Sequence, residues 1–195
     1  PRLRPRMDTV YVHADESCLG NQYQDRATPG GAGGLVEIWR DGAWERRDYW
    51  VSEPDTTNNR MALRSAIEVL RALRRRCRVH FVSDSQYLVK GVAEWLPGWK
   101  ARGWRRKAGP IENLVLWQEL DRELARHDVH TRWVRGHAGH PENEYVDLLA
   151  TRAAKAQTAS EGLVASGFRA WLDELREKGH YLDYLESAPP QERYG

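Results

Sequence analysis

The stretch LVEIWRDGAWERRDYWVS, residues 35–52, decides the fold class of this chain. It divides into two runs rich in β-branched and aromatic residues, 35–40 and 44–52, which are joined around Asp41-Gly42. An Asp-Gly pair between such runs is a strong signal for a β-hairpin. Upstream, residues 9–15 (TVYVHAD) alternate apolar and polar positions, as a half-buried strand does. Three sequential antiparallel strands are therefore predicted, with the Gly-rich residues 17–34 as a loop.

Downstream of the hairpin, the pattern changes to helices that alternate with strands. Apolar positions at helical spacing predict a helix that begins near Thr57, and residues 79–82 and 129–134 read as short strands. A helix is predicted after each of these strands, with Pro97 ending the first of them and Pro110 starting another. The predicted order β-β-β-α-β-α-α-β-α gives an α/β fold with a mixed five-stranded sheet, three antiparallel strands and then two parallel, flanked by helices.

The ends of the chain differ in character from its main domain, residues 7–157. Residues 1–6 (PRLRPR) form a basic N-terminal tail, and residues 158–195 form a C-terminal helical extension and tail. The extension has bulky apolar residues at helical spacing: Leu163, Phe168, Trp171, Leu172 and Leu175. Because such a stripe must be covered, we expect the helix to pack back on the main domain or, alternatively, to form a homodimer or dock a partner. The closing residues 188–195 are expected to fray.

Composition excludes several classes of protein. The chain has 195 residues, of which 41% are hydrophobic and 30% charged, so a disordered chain is excluded. No apolar run approaches the roughly 18 to 20 residues of a membrane span, and no signal peptide is recognised. Cys18 and Cys77 are too few for a disulfide framework and are expected to be reduced thiols. These features predict a cytoplasmic protein.

Three aspartates lie where predicted strands meet predicted helices. Asp15 ends the first strand, Asp84 follows the fourth, and Asp147 lies in the helix after the fifth. Carboxylate oxygens converging from adjacent strands suit Mg²⁺, which a few protein carboxylates usually hold together with substrate phosphate oxygens. The alternative for each aspartate alone is a helix cap or a solvated loop end.

Five strings in the chain carry a family resemblance: DESCLGN (15–21), TTNNRMAL (56–63), SDSQYLVKGV (83–92), WLPGWKARGW (95–104) and WVRGHAGHPENEYVD (133–147). In order and spacing they resemble the type 1 ribonuclease H family over residues 7–157. The resemblance implies an endonuclease that hydrolyses the RNA strand of RNA/DNA hybrids and leaves 5′-phosphates. It also implies two Mg²⁺ or Mn²⁺ ions, held by Asp15, Asp84 and Asp147.

The same resemblance implies further roles. His137 resembles the histidine that assists proton transfer or product release; a zinc site at His137 and His140 is the rival interpretation, although no cysteine or third histidine has the right spacing. Amides would enter the minor groove, and a Trp-rich basic segment, residues 95–107, would meet the DNA backbone. The implied substrate-binding residues are Asn21, Thr57, Asn58, Asn59, Gln86, Trp95, Trp99, Lys100, Arg102, Trp104, Arg105 and Arg106, with a monomer favoured.

The chain departs from the family pattern at two positions. The family motif reads NNRME, whereas here it ends in Ala62, so an active-site carboxylate is missing and activity is expected to be weakened or lost. Ala62 is either an engineered substitution or a natural difference. Glu16 stands where the family usually has Gly, and strand alternation predicts that it points away from Asp15 and does not replace the missing ligand.

Two other functions compete with the hybrid endonuclease. The first is a non-catalytic module that binds RNA/DNA hybrids through the same amides and basic segment. The second is a nuclease of the same fold that acts on DNA, such as an integrase or a junction resolvase. The Asn58-Asn59 pair, Gln86 and the Trp-rich basic segment argue against the second.

Overall fold

A computed structural model describes residues 7–20, 28–136 and 139–194. The predicted tail at residues 1–6 therefore lies outside the described residues. The strands are β1 (Thr9–Cys18), β2 (Thr28–Arg40), β3 (Ala43–Thr56), β4 (Arg78–Ser83), β5 (Asp128–Trp133) and β6 (Val164–Ala165). The helices are α1 (Asn58–Ala72), α2 (Gln86–Lys90), α3 (Leu96–Ala101), α4 (Leu114–Leu124), α5 (Pro141–Ala156), α6 (Phe168–Glu177) and α7 (Pro190–Tyr194), with a π-helical turn at Gly91–Trp95 between α2 and α3. No helix among these described residues is long and apolar enough to cross a membrane.

The strands form one mixed sheet in the order β5-β4-β1-β2-β3-β6. Strands β1, β2 and β3 pair antiparallel, and β4 and β5 continue the sheet parallel to β1. The predicted hairpin turns at Asp41 and Gly42, which have φ values of 50° and 77° as a tight primed turn requires. The predicted mixed sheet is thus confirmed, but it has six strands rather than five, because β6 of the C-terminal extension pairs with β3.

The Gly-rich stretch before residue 35 is a strand, so the prediction of a loop up to residue 34 is wrong. Helix α5 lies directly on Gly31 and Gly33. A Cβ atom on Gly31 would lie 2.4 Å from the Ala154 nitrogen, and one on Gly33 would lie 2.5 Å from Leu149 Cβ. Glycine normally weakens a strand, but here only glycine lets the helix backbone approach this closely. The close approach brings α5 over β1, which pairs with β2 along this stretch.

Pro97 does not end the helix that follows β4. The helix continues through a π-helical turn into α3, and Pro97 is the second residue of α3. The first residue of the π-helical turn, Gly91, must be glycine because a Cβ there would lie 2.0 Å from the ring of Trp117. Pro110 likewise does not start a helix, since α4 begins at Leu114 after Asn113 in the left-handed region.

The C-terminal extension packs against its own chain. Phe168 and Leu172 of α6 are fully buried and contact Tyr145 of α5. The buried carboxylate of Asp48 accepts hydrogen bonds from the Ser166 hydroxyl at 2.7 Å and the Gly167 N–H at 3.0 Å, which fixes the start of α6. This agrees with the expectation that the helix packs back on the main domain.

The end of the chain is a helix rather than a frayed tail. Arg193 of α7 is buried and donates to both carboxylate oxygens of Glu37, each at 3.0 Å, and it also pairs with Glu142. Its guanidinium lies 4.8 Å from the centre of the Trp44 ring. A buried ion pair between residues 37 and 193 has no local sequence signature, and for this reason the polar composition of the tail was misleading.

Candidate active site

The candidate site lies where the pairing between the central parallel strands β1 and β4 ends. Their pairing finishes at Ala14 opposite Ser83, so Asp15 and Asp84 are the next residues along each strand. Both line a small pocket together with Asn143 of α5. Asn143 was not among the predicted site residues, although its place one turn before Asp147 on a helix is a signal that could have identified it. The two aspartates predicted from the sequence are therefore brought together.

Glu16 joins this pair, which overturns the prediction that it points away. Ligand oxygens of Asp15, Glu16 and Asp84 all lie within 4.8 Å of one another, close enough to hold a metal ion. Strand alternation fixes only the direction of Cβ. Beyond Ala14, β4 no longer pairs with β1, so the long side chain of Glu16 can turn past the uncovered edge of β1 towards Asp15 and Asp84. The signal for this was the adjacent Asp-Glu pair at the end of a strand.

The Glu16 side chain leaves β1 on the face of the sheet that α1 covers. Cys18, two residues further and thus on the same face, packs against Met61 of α1. Burial is the largest cause that raises the pKa of Tyr49, whose hydroxyl shares a 2.7 Å hydrogen bond with Ser65 of α1, and the charge of Glu16 raises it further. Ala62, buried one turn before Ser65, brings no carboxylate to this side. Glu16 is therefore the carboxylate that approaches the site from the α1 side.

Asp147 completes the acidic group from α5. It is not within the tight set of three, but its charge is one of the causes that raise the pKa of Asp15 to about 7; burial is the largest cause, and the charge of Asp84 is the next. The Glu16 N–H opposes this shift by donating to Asp15 Oδ1 at 2.8 Å. Burial, followed by the charges of Asp15 and Asp84, raises the pKa of Glu16 well above its usual range. Carboxylates held together against this repulsion fit a divalent cation, whose charge would relieve it.

Replacing Asp15 with asparagine is expected to stabilise the metal-free protein by about 2 kcal/mol near pH 8. The raised pKa of Asp15 means that the folded chain binds a proton between about pH 4 and pH 7 that the unfolded chain has lost, so its contribution to stability falls as pH rises through that window. Melting temperatures in a chelator check this: the advantage of the variant should be present near pH 8 and vanish near pH 4. An advantage that is the same at both pH values would contradict it.

The predicted minor-groove residues lie at the same end of the sheet as the acidic group. Thr57 caps α1, where its hydroxyl accepts from the Arg60 N–H at 3.2 Å, and Asn58 and Asn59 form the first turn. Gln86 is the first residue of α2, directly after β4. Strands β3 and β4 end on the same side because both run parallel to β1. Asn21 lies outside the described residues.

The Trp-rich basic segment divides into an inner and an outer part. Trp99 is buried against Trp117, and Trp95 and Trp104 are partly buried beside the same core. Trp99 is thus a core residue and not a surface one. Lys100 pairs with Asp121 at 2.9 Å. Lys100 is nevertheless exposed, as are Arg102, Arg105, Arg106 and Lys107 after the end of α3.

The rival zinc interpretation has little support from the described residues. His137 lies outside them. His140 precedes α5 and lines a cavity with Glu142 and Arg193 rather than with the acidic group. A second possible metal group, His13, Glu37 and Glu142, already contains a cation, because the Arg193 guanidinium pairs with both glutamates.

The fold and the site together define a class of protein: a phosphodiester hydrolase with an α/β fold, whose carboxylates cluster at the carboxyl end of two central parallel strands. The chain belongs to the ribonuclease H family, because the RNase H family model matches residues 7–155.

Individual relatives agree with this family. Ribonuclease H of Stutzerimonas stutzeri (strain A1501) is 47% identical over 146 residues, which cover 74% of this chain and 91% of that protein. Ribonuclease H of Cupriavidus necator is 46% identical over 151 residues, which cover 77% of this chain and 98% of that protein. The crystal structure of LC9-RNase H1, described as a type 1 RNase H with the type 2 active-site motif, is 51% identical with a TM-score of 0.83, and the match covers 91% of this chain and 86% of that one.

Proposed function

We propose that this chain hydrolyses the RNA strand of RNA/DNA hybrids with two Mg²⁺ or Mn²⁺ ions held by Asp15, Glu16, Asp84 and Asp147. The convergence of the Glu16 carboxylate with Asp15 and Asp84 carries the proposal, because it supplies the carboxylate that Ala62 lacks. The similar LC9-RNase H1 supports it, since that protein is described as a type 1 RNase H with the type 2 active-site motif.

The backbone around the acidic group holds the carboxylates in place. The Trp133 indole N–H donates to the Asp84 carbonyl oxygen at 3.0 Å. Glycine at residue 136 lets the backbone lie close to Asp84, because a Cβ there would lie 2.7 Å from Asp84 Oδ2. The bound ions would activate a water for in-line attack on the phosphate and stabilise the leaving 3′ oxygen. His137, by its resemblance, is the residue that assists proton transfer or product release.

Substrate recognition is assigned to the groups around this edge of the sheet. Asn58, Asn59 and Gln86 present amide donors and acceptors that can meet base edges and 2′-hydroxyls in the minor groove. By the family resemblance, Asn21 is assigned to the minor groove and Thr57 to a DNA-phosphate pocket. The exposed arginines of the Trp-rich basic segment would contact DNA phosphates, while Trp95 and Trp104 pack against the hydrophobic core.

Cleavage of a labelled hybrid in Mg²⁺ tests the proposed function. The unaltered chain should cut the RNA strand and leave double-stranded DNA intact. Adding a chelator should stop the cleavage. Asp84→Asn should abolish cleavage but keep hybrid binding within about tenfold, because metal ligands act mainly in the transition state. Tight binding without cleavage would instead support the non-catalytic module, which Ala62 favours, and cleavage of double-stranded DNA would support the DNA nuclease.

Replacing Lys100, Arg102, Arg105 and Arg106 together with alanine is expected to weaken hybrid binding and flatten its salt dependence. On a B-form duplex, the slope of log affinity against log salt becomes shallower by about 0.9 for each phosphate that the protein no longer neutralises. Titrations at several salt concentrations check this. The matched control replaces four basic residues elsewhere: Arg152, Lys155, Arg169 and Lys178. Equal slopes in the two variants would mean that the segment does not touch the substrate.

We propose that the protein is cytoplasmic and monomeric. Cys18 and Cys77 are both free thiols, which fits a reducing compartment. The apolar side chains of α6 that a dimer interface would need, Phe168 and Leu172, are buried within the chain itself.

A further inference from the structure

The short connection between α1 and β4 carries a dense positive charge. We name residues 73–77, with sequence LRRRC, the arginine loop. Arg74, Arg75 and Arg76 are all exposed. Among the described residues, no carboxylate lies within 4.0 Å of these three guanidinium groups, whereas the flanking Arg71 and Arg78 are paired with Glu119, Glu123 and Asp128. The loop thus presents three consecutive positive charges to solvent.

The backbone of the arginine loop is held firmly. The buried His127 accepts the Cys77 N–H on Nδ1 at 3.2 Å, and its Nε2 lies 2.9 Å from the Leu70 carbonyl oxygen. The Arg126 guanidinium donates to the Leu73 carbonyl oxygen at 3.2 Å, and the Asp128 N–H donates to the Cys77 carbonyl oxygen at 2.9 Å. Both ends of the loop are therefore fixed to the segment before β5. A pre-organised loop loses little freedom on binding, which favours a binding role over a solvated turn.

The arginine loop lies far from the acidic group. It precedes β4, whereas Asp84 follows β4, and six strand residues separate the two ends by about 20 Å. A stiff duplex seated on the acidic group cannot bend over that distance without a large cost. A single strand that continues from the hybrid is flexible enough to follow the protein surface, and its phosphates complement the three free charges.

We propose that the arginine loop binds the phosphate backbone of a single strand flanking the hybrid, a second nucleic-acid contact separate from the catalytic one. This proposal rests on the proposed function, since it needs a hybrid at the acidic group. The loop would hold the enzyme on hybrids that continue into single strands, without reading their sequence.

The test compares two probes on the full chain in Ca²⁺ or with the Asp84→Asn background, so that binding is measured without cleavage. One probe is a short blunt RNA/DNA hybrid, and the other is the same hybrid with single-stranded DNA overhangs long enough to span about 20 Å. The variant replaces Arg74, Arg75 and Arg76 with alanine, and the matched control replaces Arg152, Lys155 and Lys178, which removes the same charge. Thermal melting verifies that both variants fold.

The unaltered chain and the control should bind the overhang probe more tightly than the blunt one. The arginine-loop variant should lose that preference, with its salt slope on the overhang probe lower by about 2, as expected for three single-strand phosphate contacts. Its cleavage of the blunt hybrid, measured with Asp84 intact, should equal that of the unaltered chain. The proposal would be overturned if the preference for the overhang probe survived the substitutions. It would also be overturned if the arginine loop bound a polyglutamate peptide instead of the overhang. Failure of the unaltered chain to cleave the blunt hybrid would instead count against the proposed function.

Discussion

Replacing Glu16 with glutamine should lower kcat for hybrid cleavage by about 10³-fold, a loss of about 4 kcal/mol of transition-state stabilisation. Glutamine keeps the shape of the side chain but removes the negative charge that lies beside Asp15 and Asp84. The hybrid should still bind within about tenfold, because the amides and arginines that hold it are unchanged. Single-turnover rates at saturating hybrid measure this effect.

A matched control separates the charge at the site from charge in general. Glu174→Gln removes an exposed carboxylate from α6 and should leave the rate unchanged. Raising the Mg²⁺ concentration should recover part of the activity of Glu16→Gln, since a weakened site is refilled by mass action. Parental rates in Glu16→Gln would mean that Glu16 is not a metal ligand.

The second large effect concerns stability and the end of the chain. Arg193→Ala should destabilise the fold by about 3 kcal/mol near pH 7, because it leaves the buried carboxylates of Glu37 and Glu142 without their main counter-ion. Burial alone would raise the pKa of Glu37, but Arg193, with help from Arg46, holds it below its usual range. The stabilisation is therefore present at neutral pH and is lost as the pH falls through the lowered pKa of Glu37.

Denaturant titrations at two pH values measure this loss. Arg169→Ala, which removes a surface arginine 3.8 Å from Glu186, is the control and should cost less than about 1 kcal/mol. Adding Glu37→Gln to Arg193→Ala should recover part of the loss, because one of the two uncompensated carboxylates is then gone. A loss no larger than that of the control would contradict the buried ion pair.

Truncation at Thr158 should lower the melting temperature below that of the full chain. The truncated protein should remain a monomer. The truncation removes β6 and uncovers the site on α5 where Phe168 and Leu172 pack, and each such side chain contributes on the order of 1.5 to 3 kcal/mol. Light scattering decides between the two roles considered for the extension. A dimer that becomes a monomer on truncation would indicate an interface instead.

Much of the fold could be predicted because its signals are local. The Asp41-Gly42 turn and the alternation of residues 9–15 define the antiparallel strands, and Thr57 caps α1 as expected. Asp15 and Asp84 meet because neighbouring parallel strands end at the same edge, which follows from topology alone.

The features that could not be predicted depend on tertiary contacts. The glycines before residue 35 have poor strand propensity; the approach of α5 explains Gly31 and Gly33, and the Tyr49 ring explains Gly34. The position of the Glu16 carboxylate depends on where β4 stops, which strand alternation does not reveal. The same position bears on Ala62: if Glu16 is a metal ligand, its carboxylate compensates for the one absent at residue 62.

The rate of hybrid cleavage by the unaltered chain and by Ala62→Glu, measured side by side in saturating Mg²⁺, tests most directly whether Glu16 completes the active site. If Glu16 supplies the fourth carboxylate, the unaltered chain cleaves the RNA strand and Ala62→Glu gains no more than a few fold. An unaltered chain that binds the hybrid without cutting it, together with an Ala62→Glu variant that cuts it, would contradict this account.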